Sequence, residues 1–192
     1  MNLYEKKLNN GFFWVQKNKP ENVKILKQCH SHKIVSIESE DKDADGFIWQ
    51  NTIIKNNIIG IYTADCLPIL IEGKLGGVFL HAGWRGIHKK IHLNEVIDSI
   101  HPIAALIGPS IQSKSFEVTQ EFYDLFPSSK SFHTSDKKIY FNLQAQVKED
   151  LIKRWPSMTI KDDKVDTFSN IEFHSYRRTG KTDRNYNLYQ IY

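Results

Sequence analysis

Two short segments of this chain, Thr63-Ala64-Asp65-Cys66-Leu67-Pro68 and His81-Ala82-Gly83-Trp84-Arg85-Gly86, sit where an apolar run breaks into small residues beside a side chain capable of chemistry. Such breaks are where a rigid scaffold exposes reactive groups to a ligand. The spacing puts the Cys66 thiol and the His81 imidazole at facing ends of a predicted hairpin. Upstream, Gln28-Cys29-His30 supplies a third candidate, so one sulfur and two ring nitrogens could converge on a metal. Catalytic zinc sites keep three protein ligands of this kind and leave one position for water or substrate. His32 lies two residues beyond His30 and shares its face in a strand, so spacing alone does not choose between them.

Each of these residues also has a plainer interpretation. A cysteine beside an apolar strand is often a small buried hydrophobe, and Gly83 and Gly86 serve a simple turn into a helix equally well. His88 and His92, four apart, have zinc-ligand spacing, but no Glu accompanies them and Lys89-Lys90 marks a solvated side. Gly108-Pro109-Ser110 and Gly180-Lys181 are too short to be phosphate loops.

The elements that must position these groups are legible in part. Phe12 to Val15, Val23 to Leu26, Lys33 to Ile37 and Gly46 to Trp49 are β-branched or aromatic runs bounded by Asn, Pro, Asp and Gly, which predicts strands. Ile58 to Tyr62, Leu67 to Ile71 and Gly77 to Leu80 continue the pattern around a turn at Glu72-Gly73-Lys74. Their nearly unbroken apolar character predicts central strands covered on both faces. From Arg85 to about His101 the period becomes helical, with Ile87, Ile91, Val96, Ile97 and Ile100 on one stripe and Pro102 closing it. A strand at Ile103 to Ile107 follows. Thr119 is placed to cap a short helix ending at Pro127, and Asn142 a longer one bearing Leu143, Val147, Leu151 and Trp155. Phe173 to Arg178 and Tyr186 to Tyr192 read as the arms of a final hairpin. Strands and helices do not alternate strictly, so the expected class is α+β with mixed β-sheets and flanking helices, not a doubly wound fold.

With 192 residues, 40% of them hydrophobic, the chain can bury one sizeable core, and a single domain over residues 1–192 is expected. The formal charge of +4, from 26 Lys+Arg against 22 Asp+Glu, is mild and dispersed. That disfavours nucleic acid as a partner and is compatible with an anionic small molecule. Cys29 and Cys66 are the two cysteines, and such sparse usage fits a reducing, cytoplasmic setting with no disulfide framework. The N-terminal residues lack an apolar core of signal-peptide length, and no run approaches the roughly 20 apolar residues that span a bilayer, so no membrane partner is expected.

Taken in order, Gln28-Cys29-His30, Ala44-Asp45-Gly46, Thr63-Ala64-Asp65-Cys66-Leu67-Pro68, His81-Ala82-Gly83-Trp84-Arg85-Gly86, Ile107-Gly108-Pro109-Ser110-Ile111 and Ser175-Tyr176-Arg177-Arg178 resemble the laccase-domain family. Its members are known variously as multicopper polyphenol oxidases, purine nucleoside phosphorylases and peptidoglycan editing factors. The resemblance implies a zinc site on His30, Cys66 and His81, which selects His30 over His32. It also implies phosphorolysis of adenosine, inosine and methylthioadenosine, adenosine deamination, and a fold similar to cysteine-dependent toxin deamidases. The chain departs from the family in a shorter stretch ahead of His30, in Asp166-Thr167 where members carry Cys-Thr, and in Asp183-Arg184 where they carry Gly-Arg. These departures bear on substrate specificity.

On this footing a purine nucleoside and inorganic phosphate are the expected partners. Zinc lowers the pKa of a bound water to about 7, which is the chemistry that hydrolytic removal of an adenine amino group requires. Phosphorolysis instead needs a cation for phosphate. Arg85, beside a helix start, is the first candidate and Arg177 the second, since guanidinium pairs with phosphate in a two-pronged geometry. Cys66, His81 and Asp65 are the expected catalytic residues, Asp65 either as general base or by orienting a ligand imidazole. One alternative is a metal-free cysteine hydrolase in which His81 activates Cys66. Another is a zinc-stabilised module without turnover. Copper is the secondary metal expectation, because multicopper oxidation needs several metal geometries and the chain offers two cysteines, eight histidines and one His-x-His pair.

Overall fold

The computed structural model describes residues 2–51 and 57–192. Its first half is β: Tyr4–Lys7 (β1), Gly11–Gln16 (β2), Lys24–Ile25 (β3), Ile34–Ser36 (β4), Gly46–Gln50 (β5), Ile58–Thr63 (β6), Leu67–Gly73 (β7) and Gly76–Ala82 (β8). Strands Pro102–Ile107 (β9), Glu117–Val118 (β10), Phe132–Ser135 (β11), Lys138–Phe141 (β12), Thr159–Asp162 (β13) and Asn185–Ile191 (β14) follow. Helices Trp84–His88 (α1), Gln120–Leu125 (α2), Leu143–Arg154 (α3) and Tyr176–Thr179 (α4) lie among these later strands.

Six strands in the order β13-β9-β7-β8-β5-β4 form the central sheet, five in the order β1-β2-β14-β6-β3 a second, and β10-β12-β11 a third. The pairs β13–β9, β4–β5 and β3–β6 are parallel and the remainder antiparallel, so the fold is α+β with mixed sheets. Successive side chains of a strand face opposite ways. Accordingly Ile69, Ile71, Val78, Leu80, Ala105 and Ile107 join one buried cluster with residues of α1 and α3. Leu70, Phe79 and Leu106 join another with Phe13, Val15, Ile59, Ile61 and Tyr189 of the five-stranded sheet. Every residue of β7 and β8 is buried, which accounts for the continuous apolar runs.

The N-caps at Thr119 and Asn142 form as expected, each side-chain oxygen accepting from a backbone amide of the first turn. Three other expectations are corrected. The stripe from Arg85 to His101 is not one helix. After α1, Lys90 turns the chain with φ 60°, and the stripe continues in two 3-10 segments, Ile91–Leu93 and Glu95–Ile100, the second capped by Asn94. Ile87, Ile91, Ile97 and Ile100 still reach the core, so the apolar period is met by three short pieces.

The turn placed at Glu72-Gly73-Lys74 moves beyond Gly73. Glu72 remains in β7, 2% exposed, and its carboxylate accepts from the amides of Asn9 and Asn10 and from the Tyr189 hydroxyl. A charged residue that looks like a turn is thus a buried acceptor docking the β1–β2 connection.

The final hairpin does not form. Tyr176 to Thr179 is helical, with the Ser175 hydroxyl accepting from the Arg178 amide and Gly180 closing the turn at φ 67°. β14 instead lies between β2 and β6. Strands β1, β10, β11, β12 and β13 have no counterpart in the sequence expectations.

Candidate metal centre and ligand pocket

β7 and β8 pair antiparallel with Pro68 opposite His81 and Leu67 opposite Ala82, which brings Cys66, just before β7, to the same end of the sheet as His81. The loop before β4 adds His30. One ligand atom from each of His30, Cys66 and His81 lies within 4.8 Å of the others. The Cys66 Sγ to His30 Nε2 distance is 3.9 Å, and the two imidazoles meet edge to face at 4.8 Å between centroids. His30 is exposed, Cys66 half-buried and His81 buried. Exposed His32 is outside the group.

The cluster rests on a residue that the spacing argument did not single out. Asp45, fully buried, accepts His81 Nδ1–H at 2.8 Å through Oδ1, which also takes the His30 amide at 3.0 Å. Its Oδ2 accepts from the Ser31 amide at 2.6 Å, the Ser31 hydroxyl at 2.7 Å and the Cys29 amide at 3.3 Å. His30 sits in the left-handed region at φ 59°, a conformation a non-glycine residue keeps only when its surroundings hold it. The sequence signal is the Ala44-Asp45-Gly46 motif, whose role only the fold reveals. The carboxylate hydrogen-bonded to an imidazole is Asp45, whereas Asp65 is bonded to Thr167 and Arg177.

Burial alone would raise the Cys66 pKa, but hydrogen bonds and charge from His30 and His81 draw it down to about 6. Burial alone would lower that of His81, but Asp45 and Cys66 push it up to about 9. Asp45 is held well below the usual carboxylate range, since His81 and Ser31 outweigh its burial. The metal-free site therefore favours a thiolate beside an imidazolium, with a carboxylate behind.

Gly83 closes the site. A Cβ there would lie 2.8 Å from Cys66 Sγ and 3.2 Å from the His30 ring, so no larger residue fits without displacing a donor.

His30 and Cys66 open onto a cavity of about 380 Å³ also lined by Asp65, Trp84, Phe116 and Tyr176, with three guanidinium groups on Arg85, Arg177 and Arg184, and His81 lies buried behind them. Arg85 lies 4.4 Å over the Trp84 ring. Arg177 lies 5.2 Å over Phe116 and donates to the Glu117 carbonyl at 2.8 Å. Its neighbour Arg178 is absorbed structurally, donating to the carbonyls of Thr167, Phe168 and Asn170 as well as Phe173. Arg184 matches the arginine of the Gly-Arg pattern, the departure lying at its neighbour Asp183, and is a cavity residue outside the sequence expectations. Asp65 is nearly buried, accepting the Thr167 hydroxyl at 2.7 Å and the Arg177 amide at 2.9 Å. Trp84 packs edge to face on Phe122 while lining the cavity.

His88 and His92 do not form a chelating pair. His92 is buried with Nε2 on Asp150, whereas His88 is exposed against the Phe126 ring. Cys29 and Cys66 are both free thiols. Among the described residues, no helix is long and apolar enough to cross a membrane.

The family described as multi-copper polyphenol oxidoreductase laccase matches residues 9–191. A purine nucleoside phosphorylase of Rickettsia conorii is 34% identical over 187 residues, covering 88% of this chain and 76% of the relative. A protein named adenosine deaminase, from an unknown prokaryotic organism, is 29% identical over 133 residues, 65% of this chain and 45% of its own length. Among solved structures, the Neisseria meningitidis protein NMB0706 matches with a TM-score of 0.74 at 27% identity, covering 88% of this chain and 74% of that one.

Proposed function

Because the chain belongs to the multi-copper polyphenol oxidoreductase laccase family, and because of how its site is built, we propose that it is a zinc-dependent purine nucleoside phosphorylase with adenosine deamination as a second activity. The carrying observation is the convergence of His30, Cys66 and His81, with His30 and Cys66 lining a cavity that three arginines share.

The donor set fits a zinc ion on its own chemistry. It offers one sulfur and two imidazoles, the Cys66 thiol is already drawn toward its deprotonated form, and the second nitrogen of His81 is tied to a buried carboxylate. Three protein donors leave a further position for substrate or water. Zinc held there would supply a Lewis acid that polarises an attacked group and lowers the pKa of water. Copper suits the same atoms, but a single three-donor group among the described residues does not supply the several sites that multicopper oxidation needs.

In phosphorolysis a phosphate oxygen bonds to the ribose anomeric carbon while the bond to the purine nitrogen breaks and the purine leaves with a proton. Arg85 and Arg177 would hold the phosphate. Each guanidinium lies over an aromatic ring; Arg177 spends one N–H on the Glu117 carbonyl, and the remaining N–H groups are left to donate to phosphate. Asp65 is the residue expected among the catalytic groups whose role shifts. With its oxygens on Thr167 and the Arg177 amide, it supports Arg177 in position more directly than it supports a general-base role. Deamination replaces the adenine amino group by oxygen from water and releases ammonia, and needs no phosphate. Purine nucleoside phosphorylase relatives and one relative named adenosine deaminase support this pair of reactions.

A second interpretation rests on the packing of the Cys66 thiol against the His30 and His81 imidazoles, which draw it toward thiolate. It is a metal-free cysteine hydrolase in which His81 activates Cys66. Protein purified without added metal decides between them. About one zinc per chain, lost in His30→Ala, Cys66→Ala and His81→Ala, together with base release from inosine that requires phosphate, is the expected result. Absence of metal with free alkylation of Cys66 would favour the hydrolase. Equal base release without phosphate would indicate nucleoside hydrolysis, and metal without turnover of any purine nucleoside a zinc-stabilised module.

A further inference from the structure

Behind the donor atoms, a single carboxylate links two of the three. Asp45 Oδ1 takes both the His81 Nδ1–H and the His30 amide, while Oδ2 takes the Ser31 amide, the Ser31 hydroxyl and the Cys29 amide. The first set fixes which nitrogen of His81 carries the proton. The second, with the His30 amide, folds the Cys29-His30-Ser31 turn and holds His30 at its positive φ. The two imidazoles come from segments far apart in sequence, and behind them Asp45 holds one through its ring nitrogen and the other through its backbone amide.

We propose that Asp45 is the positioning residue of the metal centre, fixing Nε2 of His81 as its donor atom and locking the backbone that presents His30, so that both histidines are aligned before metal arrives. This rests on the zinc reading of the site and concerns how the site is preorganised. A carboxylate that hydrogen-bonds a ligating histidine fixes its tautomer and ring orientation, and removing such a partner weakens metal affinity about 10–100-fold. Asp45 is a stronger case than a partner of one histidine, because the same side chain also holds the loop of the second donor.

The geometry makes Asp45→Asn a selective test. An amide has one acceptor oxygen, so whichever way it turns, an NH2 group faces either the His81–His30 donors or the Ser31–Cys29 donors. Turned one way the amide loses both the His81 ring and the His30 amide; turned the other it loses the Ser31 and Cys29 amides that fold the turn presenting His30, so either orientation loosens the presentation of at least one histidine. Ser31→Ala removes only the hydroxyl donor and leaves the contact between Oδ1 and His81, so it should have the smaller effect.

The experiment measures zinc affinity of the full chain by competition with a chromophoric chelator, and reads the His81 tautomer from imidazole nitrogen NMR shifts. We expect a proton on Nδ1 of His81 in the zinc-loaded wild type. Asp45→Asn should lose about 10–100-fold in zinc affinity and Ser31→Ala less. Equal affinity in Asp45→Asn and wild type overturns the role of Asp45 while leaving the metal site intact. Wild type that binds no zinc overturns the metal reading and this inference with it. Should Asp45→Asn fail to fold, the zinc-loaded wild type decides: a proton on Nε2 of His81 there overturns the proposal.

Discussion

The Asp65 carboxylate accepts the Arg177 backbone amide at 2.9 Å across a separation of 112 positions, so the residue directly before Cys66 anchors the turn that carries a cavity arginine. The other oxygen takes the Thr167 hydroxyl at 2.7 Å. Through one buried side chain the donor loop and the C-terminal segment are held in register.

Asp65→Ala should therefore destabilise the protein by about 1–3 kcal/mol, since the Thr167 hydroxyl and the Arg177 amide both lose their acceptor. Zinc content should survive and phosphate saturation should weaken, because Arg177 loses its anchor. Denaturant midpoints, metal analysis and rate against phosphate concentration check this. Weaker zinc binding with unchanged phosphate dependence would assign Asp65 to the metal centre instead.

Gly83→Ala should expel the metal while leaving the fold recognisable. The added Cβ falls 2.8 Å from Cys66 Sγ and 3.2 Å from the His30 ring, and close packing leaves no room for both donors to keep their places. Circular dichroism near wild type with zinc content sharply reduced is the expected pair of results. Full zinc occupancy would show that the donors can retreat without cost.

Arg85→Lys should impair phosphorolysis chiefly as weaker phosphate saturation, with zinc content and deamination largely kept. Lysine retains the charge but loses the planar donor edge and the stacking on Trp84. Initial rates against phosphate concentration measure it, and an unchanged dependence would remove Arg85 from the anion site.

Acid stability should carry the signature of His92. Its Nε2 bonds Asp150 at 2.8 Å while Nδ1 is buried with no partner among the described residues, so a second proton would be an unmet donor. Burial lowers the His92 pKa below its ordinary 6.5. Asp150 is held well below the carboxylate range, because hydrogen bonds from His92, Lys90 and Gln146 outweigh its burial. Both groups bind fewer protons folded than unfolded. Their contribution is thus complete above about pH 6.5, declines as pH falls through the lowered value of His92, and declines again through that of Asp150. Thermal midpoints between about pH 7 and 5 should fall more steeply for wild type than for His92→Gln. Parallel slopes would contradict the assignment.

How much of this was legible beforehand follows the range of the interactions involved. The strands around Ile69 and Phe79, the caps at Thr119 and Asn142, and the small-residue breaks at Cys66 and His81 are local signals, set by side-chain period, capping chemistry and the space a small residue leaves. The amino-acid order alone therefore determined an α+β protein with Cys66 and His81 at one end of a central hairpin. The tertiary structure decided the remainder. The stripe from Ile87 to Ile100 satisfies the core equally as one helix or three pieces, and only the turn at Lys90 and the cap at Asn94 divide it. β14 could not be placed from its own residues because its partners, β2 and β6, lie far back in the chain. For the same reason Asp45 was visible as a motif without a role. Its function depends on His30, Ser31 and His81 arriving around one buried carboxylate, and periodicity carries no record of hydrogen bonds made between distant segments.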